Sequence, residues 1–203
     1  MFLDLRGDTA FTETHGPGEV RRVLREFHAA MGQRIMAHGG TLERFAGDGL
    51  MIFFNDPIEI PDASLRAARM ACEMQQDMVL LRAIWQLHGY SLDMGIGIAR
   101  GVATKGGIGF EGRRDYGAIG SVTNLAARLC AEAQGGQILL CPVVAGEIGS
   151  AFELRPVGSR QLEGSLRPSP VTSCLAHDRD GRGSQGGVGG RQGLPAAYPM
   201  AGC

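Results

Sequence analysis

The chain has no apolar run near the roughly 18 residues that a membrane-spanning helix needs, and no surplus of either charge. Lys and Arg number 20 against 21 Asp and Glu, a formal net charge of −1. That balance argues against a bulk nucleic-acid surface and against a polybasic membrane segment. The opening MFLDLRGD carries charge from its fourth residue and does not read as a secretory signal. Cysteine is sparse and scattered (Cys72, Cys130, Cys141, Cys174 and Cys203), without CxxC spacing or nearby paired histidines. A zinc site is therefore not expected, and reduced thiols point to the cytoplasm. No internal repeat is visible. What is present is 203 residues with 44% apolar content, enough for one domain with a core. That domain is expected over residues 1–176. Residues 177–203 are glycine-rich and aperiodic, and are expected to form a disordered tail.

Periodicity gives the order β-α-β-β-α-β-β-α-β with a trailing β hairpin. MFLDL reads as the short stub of a buried first strand, as if truncated, and TAFTETHGPGE as turns. In EVRRVLREFHAAMGQRIMAHGG, Val20, Val23, Leu24, Phe27, Met31 and Ile35 fall on one helical stripe that Gly39 and Gly40 stop. TLERFAGDGLMIFFN reads as a hairpin whose second arm, apolar on both faces, should be a central strand. A long helix follows, with Leu65, Ala68, Cys72, Met78 and Leu81 inward. YSLDMGIGIARGVATKGGIG reads as one long strand, and SVTNLAARLCAEAQGG as a helix with Ser121 as N-cap and Gly135 as stop. Two weaker, peripheral strands close the domain. The expected class is α+β: a ferredoxin-like split βαβ core with a mixed or antiparallel sheet and helices mostly on one face.

Three sites carry chemistry. Asp4 interrupts an apolar strand, where a carboxylate is costly to bury without a partner. Asp48 sits at a hairpin tip. In a split βαβ sheet the first strand lies beside that hairpin, so the two carboxylates would meet, and they repel unless a cation lies between them. Mg²⁺, which takes one or two carboxylates plus substrate phosphates, suits such a pair. The plainer alternative pairs Asp4 with Arg6 or Arg44 and leaves Asp48 to Asp-Gly turn chemistry. On the third element, Asn124 and Arg128 stand four apart and share a helix face, able to address a ribose and a phosphate together or to belong to a solvated surface.

FLDLRGDTAFT, LERFAGDGLMIFF and AIGSVTNLAARL, in this order and spacing, resemble the class III adenylate/guanylate cyclase catalytic domain over about residues 1–176. The resemblance implies a homodimer with sites at the subunit interface. It casts Asp4, Asp48 and the Leu5 carbonyl as ligands of two Mg²⁺ ions (Mn²⁺ can substitute), Asn124 as the ribose-orienting residue and Arg128 as the transition-state arginine. The aspartates would come from one subunit and the Asn/Arg pair from the other. It further implies conversion of ATP to cyclic AMP and pyrophosphate in intracellular signalling, with no nucleic acid and no membrane segment involved.

The chain departs from the family at several positions. Arg44 and Gly117 stand where members select the purine. Arg44 can donate to adenine N1 but also to guanine O6 and N7, and Gly117 has no side chain. Purine choice is thus expected to be weakly specified, with ATP favoured and GTP the alternative. Glu163 and Ser165 replace the triphosphate-binding lysine, and Asp8 replaces an aromatic residue. Glu163, Gly117 and the short first strand favour a second reading, a non-catalytic cyclase-like module that dimerises with, binds or regulates a competent partner, whereas the intact Asp4, Asp48, Asn124 and Arg128 set favours the enzyme. No sensor or regulatory segment precedes the domain, so regulatory input is expected from elsewhere.

Overall fold

The computed structural model describes residues 1–160 and 169–178. Its elements run β1 (Phe2–Arg6), α1 (Asp8–Thr14), α2 (Pro17–His38), β2 (Thr41–Ala46), β3 (Gly49–Phe53), α3 (Ala63–Gln86), β4 (Asp93–Ile98), β5 (Thr104–Phe110), β6 (Arg113–Ile119), α4 (Ser121–Glu132), β7 (Ile138–Leu140), α5 (Pro142–Ile148), β8 (Phe152–Arg160) and β9 (Ser169–Asp178). Seven strands form one mixed sheet in the order β2-β3-β1-β4-β7-β9-β8, while β5 and β6 form a separate hairpin. Only the β4–β7 pairing is parallel among the described strands. The mixed sheet and helices make this an α+β fold.

The period-2 alternation of strand side chains assigns the two faces. Along β1, Leu3 and Leu5 are buried at 1% and 2% exposure and join one core with Phe27 and Met31 of α2 and Met70 and Met74 of α3. Asp4 and Arg6 point the other way, toward α4. In β4, Met94, Ile96 and Ile98 enter the core, while Gly95 and Gly97 face α4. A Cβ on Gly97 would run into the Cys130 amide nitrogen and the Ala126 carbonyl oxygen, so the α4 backbone lies directly on the strand. Glycine costs a strand stability, and close backbone approach is the usual reason it is kept.

The helices on the core face are held by buried apolar side chains and a few satisfied polar ones. Val23, Phe27, Met31 and Ile35 of α2 are buried, as are Ala68, Cys72 and Met78 of α3. Leu65 and Leu81 are partly buried. Trp85 is enclosed, and its indole N–H donates to Glu26 at 2.8 Å. Arg34 of α2 spans Glu73 and Asp77 of α3 at 2.8 and 2.6 Å.

Several details differ from the sequence expectation. The first strand runs one residue past MFLDL, to Arg6: all five residues of β1 pair with β4, and Phe2 and Leu3 also pair with β3. TAFTET is helical, as α1, because Gly7 turns the chain at φ +86°. YSLDMGIGIARGVATKGGIG divides into β4 and β5, which belong to different sheets. The N-cap of α4 is Gly120 rather than Ser121, and its C-cap is Ala133 rather than a glycine stop at Gly135. PVVAGEI forms α5, with Pro142 at the first helical position, where its missing N–H costs nothing. Of the two strands expected to be peripheral, β9 lies inside the sheet between β7 and β8. Helix α4 covers the sheet face opposite α2 and α3. Glu163, Ser165 and the tail from residue 179 onward lie outside the described residues.

Candidate active site

Asp48 reaches the site through the β2–β3 turn. Ala46 pairs with Gly49, so the two turn residues are Gly47 and Asp48, not Asp48 and Gly49 as the Asp-Gly pattern suggests. Gly47 takes the left-handed conformation at φ +68°, which leaves Asp48 in an ordinary one. Helix α2 supports the turn from beneath. His28 packs on Phe45 with ring centroids 4.6 Å apart, and its Nε2 is buried with no hydrogen-bond partner among the described residues. Burial holds the His28 imidazole below its usual pKa.

The turn delivers Asp48 to Asp4 on β1, and the two side chains hydrogen-bond. The Asp48 pKa is pushed up to about 6, first by burial and then by the charge and hydrogen bond of Asp4. The backbone N–H groups of Asp48 and Leu5 oppose that shift by donating to the carboxylate. Asp48 Oδ2 is buried with no hydrogen-bond partner among the described residues. An orphaned buried carboxylate oxygen beside a second carboxylate is costly, and a cation relieves both costs.

Arg6 ties this pair to α4. Its Nη1 lies 3.2 Å from Asp4 Oδ2 and donates to the Leu5 carbonyl at 3.2 Å. Its Nε donates to the Ala133 carbonyl at 2.9 Å, and Nη2 donates to the Cys130 carbonyl. Those carbonyls are among the last of α4, where a cation also meets the negative end of the helix dipole. The guanidinium crosses β4 at Gly95, where a Cβ would come within 2.5 Å of Nη2. The expected alternatives for Asp4 therefore coexist: it meets both Arg6 and Asp48.

Asn124 and Arg128 stand apart from the carboxylates. The cavity of about 190 Å³ beside Asp4 is lined by Arg44, Met51, Ala127, Cys130 and Ala131 among others, but not by Asn124 or Arg128. Asn124 is exposed and Arg128 half-buried, and neither side chain makes a hydrogen bond or ion pair among the described residues. One protomer thus sets Asp4 and Arg44 on this cavity and Asp48 against Asp4, and leaves the Asn/Arg pair with hydrogen-bonding groups unused among the described residues.

One residue beside Arg44, Glu43, matters beyond those the sequence pointed to. Arg44 is 65% exposed, and its Nη2 lies 3.5 Å from Glu43 Oε1. Glu43 is 5% exposed, accepts from the Ala118 N–H at 3.3 Å, and keeps Oε2 buried without a partner. Gly117, next to Ala118 on β6, is buried. A register shift in β2 between Leu42 and Arg44 makes Glu43 the extra residue of a bulge. No sequence signal marked that bulge. Arg6 was weighed only as a partner for Asp4, since its reach to α4 depends on tertiary packing.

The donor set fits a divalent cation: two adjoining carboxylates, one with an orphaned oxygen, beside a backbone carbonyl. Among the described residues no group of three or more His, Cys, Asp or Glu side chains gathers. A two-carboxylate site completed by substrate oxygens matches the habit of Mg²⁺.

Comparison with known proteins agrees with this architecture. The family model of the adenylate and guanylate cyclase catalytic domain matches residues 1–175. The chain belongs to that family, whose class III members generally depend on a divalent metal. The structure is similar to the adenylyl cyclase CyaB from P. aeruginosa, with a TM-score of 0.85, 30% identity, and coverage of 88% of this chain and 93% of that one. It is also similar to the guanylyl cyclase Cya2, with a TM-score of 0.79, 33% identity, and coverage of 85% and 88%. In sequence it is 33% identical over 134 residues to an adenylate cyclase of Anabaena cylindrica, covering 64% of this chain and 26% of that protein. Adenylate cyclase 1 of Rhizobium meliloti (strain 1021) is 26% identical over 167 residues, covering 81% and 25%. The chain spans about a quarter of the length of these curated relatives. No helix among the described residues is long and apolar enough to cross a membrane.

Proposed function

We infer that the protein is a nucleotidyl cyclase of the cytoplasm that converts ATP to cyclic AMP and pyrophosphate. The observation that carries this reading is the Asp4–Asp48 pair with its orphaned oxygen, standing in the same protomer as an Asn124/Arg128 pair that has no partner among the described residues. The ribose 3′ oxygen attacks the α-phosphorus, the bond from that phosphorus to the bridging oxygen breaks, and the 3′ hydroxyl gives up its proton. Asp4, Asp48 and the Leu5 carbonyl would hold Mg²⁺, which when bound lowers the pKa of the 3′ hydroxyl and offsets charge on the leaving pyrophosphate.

The remaining work falls to the chain's own side chains. Asn124 of a second copy holds the ribose so that its 3′ oxygen lies in line with the leaving group, an orientation effect. Arg128 of that copy donates to the equatorial oxygens as charge builds there. Arg44 donates to the base. The homodimer follows from this division: each copy lends its aspartates to one site and its Asn/Arg pair to the other. Incubation of the purified chain with ATP or GTP and Mg²⁺ or Mn²⁺, with products identified by mass, tests the reading. Cyclic AMP from ATP supports it, cyclic GMP formed in preference moves the substrate to GTP, and no cyclic nucleotide from either overturns it.

A further inference from the structure

Glu43 has no assigned role, yet its surroundings are those of a recognition group. Its side chain is 5% exposed, and burying a carboxylate is costly unless its oxygens are bonded. Both of its contacts are long. The Ala118 N–H lies 3.3 Å away and the Arg44 guanidinium 3.5 Å, against about 2.7–2.9 Å for a strong charge-assisted bond. Oε2 has no partner. The bulge between Leu42 and Arg44 breaks the alternation of β2, so Glu43 lies against β6 at Ala118 and beside Arg44, which itself lines the Asp4 cavity. The bond to Ala118 sets the carboxylate beside Gly117, where no side chain stands between β6 and a ligand.

We propose that Glu43 is a specificity-determining residue: its unpaired carboxylate oxygen accepts a hydrogen bond from the 6-amino group of adenine while Arg44 donates to N1. The proposal rests on the cyclase reading given above. It supplies the acceptor that Gly117 lacks, so discrimination is sharper than Arg44 and Gly117 suggest. Adenine is favoured because only one oxygen is free. Guanine presents N1–H and the 2-amino group side by side and asks for two acceptors, and Oε1 is already engaged with Ala118. A site built to take one N–H leaves the second donor of guanine unpaired.

The test compares ATP with purine riboside triphosphate, which lacks only the 6-amino group. For the wild type, kcat/KM and competition against a fluorescent nucleotide should both favour ATP by about tenfold or more. In Glu43→Ala the preference should fall to within about twofold of unity, because the variant has no acceptor for the amino group to lose. Glu43→Met keeps the side-chain volume and carries the same test if the alanine variant fails to fold. Equal losses for both nucleotides, with the ratio unchanged, overturn the proposal and leave the cyclase reading standing. A wild type that neither binds nor cyclises either nucleotide overturns the cyclase reading and this proposal with it.

Discussion

The Asp4 and Asp48 carboxyl groups meet where β1 adjoins the β2–β3 turn, and burial, followed by the charge and hydrogen bond of Asp4, pushes the Asp48 pKa up to about 6. An interior strand of the sheet and the nearby β2–β3 turn thus place two acids in one spot at a cost to the fold. Natural proteins carry such local costs at functional sites.

That cost has a pH signature in metal-free protein. The folded-state pKa of Asp48 lies above its ordinary value of 3.8, so the folded state binds the proton more tightly than the unfolded one. The resulting stability is fully present below about pH 4 and is lost as the pH rises through about 6. Asp48→Asn, which keeps an uncharged group of the same shape, should be more stable than wild type at pH 8 in EDTA. After discounting for solvent screening, the gain should be roughly 1 kcal/mol. The gap should close by pH 4. Urea unfolding at the two pH values measures it, and a gap of equal size at both would contradict the shared-proton geometry.

Arg6 links the carboxylates to α4 through the Cys130 and Ala133 carbonyls. Arg6→Met retains the apolar stem but strips those bonds and the Asp4 contact. It should lower unfolding stability by about 2 kcal/mol. Chemical denaturation reports the loss, and a change below about 0.5 kcal/mol would show that the bonds are not formed in solution.

Gly97 lies under α4, with no room for a methyl group before the Cys130 nitrogen and the Ala126 oxygen. Gly97→Ala should cost about 1–3 kcal/mol through overpacking and should shift α4 away from β4. Gly146, on α5, has nothing within 4 Å of an added Cβ, so Gly146→Ala is the matched control and should be neutral or mildly stabilising. Comparable losses in both variants would contradict the packing described here.

Arg128 makes no hydrogen bond or ion pair among the described residues of its own protomer. Arg128→Ala should therefore leave thermal stability nearly unchanged, within about 0.5 kcal/mol. Turnover should fall by about a hundredfold or more, as expected when a transition-state donor is removed. A large loss of stability would place Arg128 in the fold instead of the chemistry.

The parts legible in the sequence were those with local signatures. The GDG turn, the helical stripe of Val23, Phe27, Met31 and Ile35, and the spacing of Asn124 and Arg128 all follow from patterns a few residues long. The meeting of Asp4 and Asp48 also followed, since a split βαβ order leaves the first strand few places to go. What stayed hidden depends on distant groups. Gly95 and Gly97 weaken a strand on paper, and only the path of α4 explains them. The break between β4 and β5 is silent because ARGVATK continues a strand-like composition while leaving the sheet. Seven-residue helices such as α1 and α5 are too short to show a period. The Glu43 bulge is a property of β2 against β3, with no residue type to announce it.

The central claim is that each active site is assembled from two copies of the chain. Mixing Asp48→Asn with Arg128→Ala protein tests it most directly, since each variant alone should be inactive. A heterodimer of the two contains one site with both lesions and one with none. Cyclic AMP formation should therefore recover on mixing, to roughly a quarter of the wild-type rate if chains pair at random and sites act independently. No recovery, with heterodimers demonstrated by size and by differential tagging, would contradict the shared site.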